Sequence, residues 1–216
     1  MTSIPPGITR RALDVAAATL GLAVSGIPLL LLMIAIRLTS RGPAVFTQVR
    51  LGQGGRPFVM YKLRTMRADA RGPDVTAIAD PRVTRMGRLL RRTSIDEIPQ
   101  LWNVLRGDMT LVGPRPETLR LASRYPQECQ WIFRYRPGLT GPSQVRLRDA
   151  QVLAAGAVVD EETYLSQLVP ARTAVDATFL TEPSLTATVG VLADTVRYLL
   201  GQPTRPAGSP VVDNVH

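Results

Sequence analysis

The sequence is poor in the side chains that most often do polar chemistry. Its one histidine is His216, the last residue, and its one cysteine is Cys129. A Ser-His or Cys-His nucleophile pair is therefore excluded for practical purposes, as is a zinc site built from His and Cys. A single cysteine cannot form an intrachain disulfide, which suits a reducing compartment. Aromatic residues make up 5%, thin for a protein that stacks single-stranded bases on rings. Lysine is nearly missing: of 26 basic residues, only Lys62 is not arginine. One lysine kept in such a chain is either chance or a use of its compact ammonium. Polar chemistry at neutral pH must fall to carboxylates, arginines, Lys62 or a metal ion.

What is present is apolar and basic. The 216 residues are 45% hydrophobic, enough for one domain with a core and too few for two large ones. The net charge of +9 and a pI near 10.9 call for an anionic partner, whether nucleic acid, a membrane surface or a phosphorylated small molecule.

Residues 12–36 form a run with one charge, Asp14. It is long enough to cross a bilayer and wrongly flanked for a signal peptide. Arg10 and Arg11 precede it, and Arg37, Arg41 and Arg50 follow, so the positive-inside preference draws both ends to the cytoplasm. Its middle reads Ser25-Gly26-Ile27-Pro28. Pro28 lacks an N–H, Gly26 loosens the turn, and Ser25 can bond a freed carbonyl. A re-entrant hairpin bent at Ser25 and Pro28 and a kinked transmembrane helix fit these residues equally, and a buried soluble helix fits less well because no polar face interrupts the run.

Beyond the run, 44–51 and 57–64 alternate in period two around "GQGG", predicting a β-hairpin that carries Arg50, Lys62 and Arg64. Residues 67–80 read as a loop. Residues 81–92 read as a helix with Val83, Met86 and Leu90 on one stripe and Arg82, Arg85, Arg88 and Arg92 on another. Such a helix suits either a headgroup layer or a solvated basic surface. "LVGPRPE" and "YRPGLTGPSQVRLRDA" read as stiff loops holding Arg115, Arg136 and Arg148. Residues 151–200 hold one or two helices, and 201–216 read as a disordered tail.

The stretch "TSIDEIPQLWNVLRGDM" sets Asp96 beside Glu97. Locally, Ser94 and Glu97 match a capping box, which leaves Asp96 spare. A functional role is compatible: a helix N-terminus lowers a carboxylate's pKa and offers amides to phosphate. An ionised aspartate can bind Mg²⁺ or attack phosphorus. Arg91, Arg92 and Arg115 lie around it in sequence. Pro99 implies that the helix starts late or kinks.

Taken together, "RRALD", "GPAVFTQVRLG", "YKLRTM", "DPRVTRMGRLLRRTSIDEIPQLWNVLRGDMTLVGPRP" and "RPGLTG" resemble the bacterial sugar transferases, the monotopic polyprenol-phosphate phosphoglycosyl transferases. The resemblance covers residues 10 to about 148. It implies a mainly helical α+β protein: an anchor in residues 1–40 with the re-entrant hairpin, amphipathic interfacial helices and a small β-hairpin in a cytoplasmic catalytic domain, 41–200, and a flexible tail, 201–216. It implies transfer of a sugar-1-phosphate from a UDP-sugar to undecaprenyl phosphate, releasing UMP, at the cytoplasmic face of the bacterial inner membrane and beginning a surface glycan. Asp96 would be the nucleophile and Mg²⁺ ligand, and Glu97 its assistant. Lys62, Arg64, Arg91, Arg115 and Arg148 would hold phosphate or substrate. Membrane lipid is an implied partner, a homodimer is compatible, and nucleic acid is not expected. The chain departs from the family in splitting a Ser-Pro pair as Ser25 and Pro28, in Pro142 and Leu147 within "TGPSQVRLR", and in Phe179 for a tyrosine. Those departures motivate a rival reading, a catalytically silent membrane adaptor that binds nucleotide sugar or anionic lipid.

Overall fold

The computed structural model describes residues 2–67, 72, 80–147 and 160–202. Arg148, most of the loop expected at 67–80 and residues 203–216 of the expected tail lie outside the described residues. The described chain is mostly helical with a small sheet.

Helix α1, Ile8–Thr39, runs unbroken through Pro28. It is long and apolar enough to cross a membrane, about 48 Å if straight at 1.5 Å per residue. The bend expected at Ser25 and Pro28 does not interrupt the element: Ser25 Oγ donates to the Gly21 carbonyl one turn back at 2.6 Å. One stripe, Arg10, Asp14, Ala18 and Ile36, is buried at helical spacing. The opposite face exposes Leu20, Val24, Ile27, Leu31 and Leu38.

Both ends of α1 are fastened to the same body. Asp14, 1% exposed, accepts from Thr110 Oγ1 at 2.8 Å and the Leu111 amide at 2.9 Å. Arg10 donates to the Val112 carbonyl, and Arg11 to the carbonyls of Val104 and Leu105. At the far end Arg64 donates to the Ser40 and Arg41 carbonyls and to Ser40 Oγ. Asp14, the one charge in the apolar run, is thus a latch and not a stray polar residue.

The expected hairpin is present as β1, Val45–Leu51, and β2, Pro57–Leu63. Its register pairs Phe46 with Lys62 and Arg50 with Phe58. Strand β4, Glu117–Thr118, joins the other edge of β1, giving the order β2-β1-β4. The free edge of β2 is closed by one side chain. Asn103 accepts from the Tyr61 amide and donates to the Val59 carbonyl, as a neighbouring strand would.

Helix α2, Arg85–Thr93, starts four residues later than expected because Thr84 caps it through the Gly87 amide. Arg82 lies outside the helix, paired with Asp80 at 2.6 Å, so the arginine face is Arg85, Arg88 and Arg92. Helix α3, Gln100–Arg106, begins after Pro99, which sits where an amide would have been unused anyway. The two stretches expected as loops are partly regular. Strand β3, Thr110–Val112, pairs in parallel with β5, Gly138–Thr140. A Cβ on Gly138 would lie 2.1 Å from the Gly113 nitrogen, so this approach requires glycine.

Short helix α4, Leu119–Ala122, follows β4, and α5, Pro142–Arg146, follows β5. A helical turn α6, Glu161–Thr163, leads through a π-helical segment, Tyr164–Leu168, into α7, Val169–Thr181, and then α8, Leu185–Leu199. The main core gathers Ala18 of α1 with Met60, Val104, Val112 and Val169. A smaller cluster, Ile36, Ala44, Leu63 and Leu90, binds the end of α1 to α2 and the hairpin.

Candidate active site

Asp96 and Glu97 lie in a 3-10 turn, Ile95–Glu97, between α2 and α3. The capping box expected from Ser94 and Glu97 does not form. Ser94 adopts a left-handed conformation, φ 56°, closing α2, and its side chain does not cap the turn. The Glu97 side chain instead accepts from Lys62 Nζ at 2.6 Å. Lys62, the lone lysine, therefore faces the carboxylate pair from the end of β2.

The two acids occupy different environments. Glu97 is about a quarter exposed and lines a cleft with Lys62, Arg50, Gln100, Arg115 and Gln144. Asp96 is 6% exposed and does not line that cleft. Burial lifts the Asp96 pKa above the ordinary carboxylate value, and Glu97 adds to this, while Lys62 and Arg91 pull it down. This corrects the expectation that a helix N-terminus depresses it: the residues belong to a short turn, and dehydration outweighs any dipole.

The expected cationic residues divide. Lys62 and Arg115 meet at the cleft. Arg91 lies in the electrostatic field of Asp96 and Arg115 and donates from Nε to Thr65 Oγ1 at 2.9 Å. Arg64 is buried and turned to the end of α1, so its guanidinium clasps backbone rather than lining the cleft. The reason is geometric: residues alternate across a strand, and Arg64 lies two past Lys62 but beyond the end of β2, where the chain has left the pleat. Arg50, read only as part of the hairpin, lines the cleft and donates to the Pro116 carbonyl.

Behind Arg115 lies a second polar cavity that local motifs did not reveal, lined by Glu117, Tyr125, Ser143, Arg172 and Asp176. The Tyr164 hydroxyl donates to buried Glu117 and accepts from Arg172 at 2.8 Å. Burial and the Glu117 charge push the Tyr164 phenol up to about 12. Asp176, 2% exposed, accepts from both the amide and hydroxyl of Ser143, and burial raises its pKa to about 6. Only long-range folding brings residues 117, 143, 164 and 176 together. The one available signal was residue type: Arg172 and Asp176 on the otherwise apolar helix Val169–Thr181.

A buried acid beside a half-open one, with cations converging from β1, β2, α2 and the Gly113–Pro116 loop, is an anion site built round carboxylates. A profile of the bacterial sugar transferase family matches residues 6–202. The chain is a member of that family. It is 53% identical over 144 residues to the UDP-glucose:undecaprenyl-phosphate glucose-1-phosphate transferase of Caulobacter vibrioides, covering 64% of this chain and 54% of that protein. It is 44% identical over 144 residues to a putative undecaprenyl-phosphate N-acetylgalactosaminyl 1-phosphate transferase of Bacillus subtilis, covering 64% of this chain and 76% of that protein. A UDP-glucose:undecaprenyl-phosphate glucose-1-phosphate transferase of Escherichia coli K12 is 40% identical over 143 residues, 64% of this chain and 31% of that protein. The matches thus span from under a third to three quarters of these relatives.

Among the described residues of this sugar transferase, no group of three or more Asp, Glu, His or Cys could by itself hold a metal ion. A Mg²⁺ ion commonly takes only one or two carboxylates and completes its shell with phosphate oxygens and water. The adjacent Asp96 and Glu97 fit that pattern, one of them already on the cleft wall.

Proposed function

We propose that this sugar transferase moves a sugar-1-phosphate from a UDP-sugar to undecaprenyl phosphate through a covalent intermediate on Asp96. A carboxylate oxygen of Asp96 attacks the phosphorus that bears the sugar. The bond from that phosphorus to the UMP oxygen breaks, and UMP leaves. A phosphate oxygen of the lipid then attacks the same phosphorus, forming the lipid diphosphosugar and restoring the carboxylate. The convergence of Lys62, Arg115 and Arg91 on a carboxylate pair carries the reading. An anionic nucleophile cannot approach a diphosphate unless fixed positive charge offsets the repulsion.

Lys62 holds Glu97 at the cleft, and Glu97 in turn raises the basicity of Asp96. Donor binding must draw an Asp96 oxygen out to the cleft, since the side chain is nearly covered without it. Mg²⁺ on Asp96, with donor phosphate oxygens, would supply further charge neutralisation at the diphosphate.

In this reading α1 kinks at Ser25 and Pro28 while staying one helix, dips into the bilayer and returns to the cytoplasmic side, with residues 1–40 as anchor. Support comes from the two clasps on one body. A helix crossing roughly 30 Å of hydrocarbon would carry one end to the far surface and break one clasp. The exposed apolar face of α1 is the surface that lipid would cover.

The test is UMP release from a panel of UDP-sugars with undecaprenyl phosphate in nanodiscs, with mass spectrometry of the protein after donor alone. Wild type should release UMP and carry a phosphosugar on Asp96, and Asp96→Asn should do neither. A label on Glu97 would overturn the assignment of the nucleophile. Donor binding without any UMP release would favour the silent adaptor.

A further inference from the structure

The cleft is lined by two glutamines whose amide nitrogens have no hydrogen-bond partner among the described residues. Gln100 is 2% exposed, and its Nε2 has no hydrogen-bond partner among the described residues. Gln144 Nε2 is likewise buried without one. Both side chains line the same cleft as Glu97 and Lys62. A sealed amide donor left unpaired costs about 1–3 kcal/mol, so two at one wall call for a ligand that pays them back.

Both are held on fixed backbone. Gln100 opens α3 directly after the carboxylate turn. Gln144 lies in α5, one residue after Ser143, whose amide and hydroxyl are both tied to Asp176. Their amides are neutral, unlike the Lys62 and Arg115 groups that suit phosphate. The remaining wall is aliphatic, with Met60, Pro116 and Leu139, and among the described residues no aromatic ring lines the cleft. A uracil would find no ring to stack on, whereas a pyranose presents C–H faces to aliphatic surface and hydroxyls to amides.

We propose that Gln100 and Gln144 bind the sugar of the donor and set which sugar is accepted, each donating Nε2–H to a sugar hydroxyl. This rests on the UDP-sugar reading above. A site that pairs buried polar groups with a substrate hydroxyl discriminates strongly against a sugar that lacks or misplaces it.

Gln100→Met and Gln144→Met keep volume and remove the donors. Each is compared with wild type for UMP release from UDP-glucose, UDP-galactose, UDP-N-acetylglucosamine and UDP-N-acetylgalactosamine, and for thermal stabilisation by each compound and by UMP. The expected result is a roughly 10- to 100-fold fall in kcat/KM on the best sugar, with the preference over the others flattened. Stabilisation by UMP should be unchanged, while the extra stabilisation given by the sugar disappears. Losses equal across all four sugars, or a parallel loss of UMP stabilisation, would overturn the proposal. The stabilisation measurement does not need turnover, so a wild type that releases no UMP would sink the reaction while still deciding the role of the amides. Gln144 is only partly buried, so its variant decides the matter should Gln100→Met fail to fold.

Discussion

Asp14→Ala should destabilise the whole protein, although it lies in an apolar helix where removing a charge would ordinarily help. In the structure the carboxylate is 1% exposed and accepts two bonds, from Thr110 Oγ1 at 2.8 Å and from the Leu111 amide at 2.9 Å. Thr110 and Leu111 are themselves buried, so alanine strands two donors where water cannot reach. Hydrogen bonds to a charged acceptor contribute about 1.5–3 kcal/mol each, and the two together imply a loss of about 3–6 kcal/mol. For a chain of this size, each kcal/mol lowers the melting temperature by about 2–4 °C, which gives a drop on the order of 10 °C. Asp14→Asn should recover part of it, since the amide oxygen can accept one of the two bonds while its NH₂ faces a donor. Thermal unfolding followed by intrinsic fluorescence in detergent micelles reads both variants. A shift under about 2 °C for alanine, or asparagine no better than alanine, would refute the latch.

Four further outcomes are expected. Because nucleophilic attack needs ionised Asp96 and burial raises its pKa, the acid limb of kcat/KM should lie above the ordinary carboxylate range. Glu97→Gln removes a neighbouring negative charge and should move that limb to lower pH while slowing the reaction; a limb that stays put would separate the two acids. Asp176 keeps its proton more tightly folded than unfolded, with a folded pKa of about 6 against 3.8. Its protonation therefore stabilises fully below about pH 4, and this is lost as pH rises through 6, at most about 3 kcal/mol. Asp176→Asn should flatten that stretch of the melting-temperature profile, and an unchanged slope would show that another group is responsible. Cysteines placed at exposed Ile8 and Leu38 should both react with an impermeant maleimide in inverted vesicles and neither in spheroplasts; opposite behaviour of the two would mean that α1 crosses the bilayer.

Period and composition carried the local architecture. Alternation around Gly52–Gly55 announced the hairpin that is found at Val45–Leu51 and Pro57–Leu63. The apolar run announced a long N-terminal helix, and Pro99 a late start to α3. The expectations that failed involve contacts between distant segments. Ser94 and Glu97 fit a capping box by spacing, but Lys62, 35 residues upstream, takes Glu97. Arg64 shared a motif with Lys62, yet the end of α1 claims it. "RPGLTG" looked like loop because glycine and proline punctuate it, yet Gly138 is what lets β5 reach β3.

Residue order alone determined which chemistry was available: with histidine and cysteine all but missing, carboxylates and guanidinium groups had to do it, and an apolar run had to meet lipid or a core. Which acid is covered, which arginine is a clasp and which amides go unpaired were decided by tertiary structure. Those properties depend on dehydration and on partners tens of residues away, and neither is encoded in any short stretch of chain.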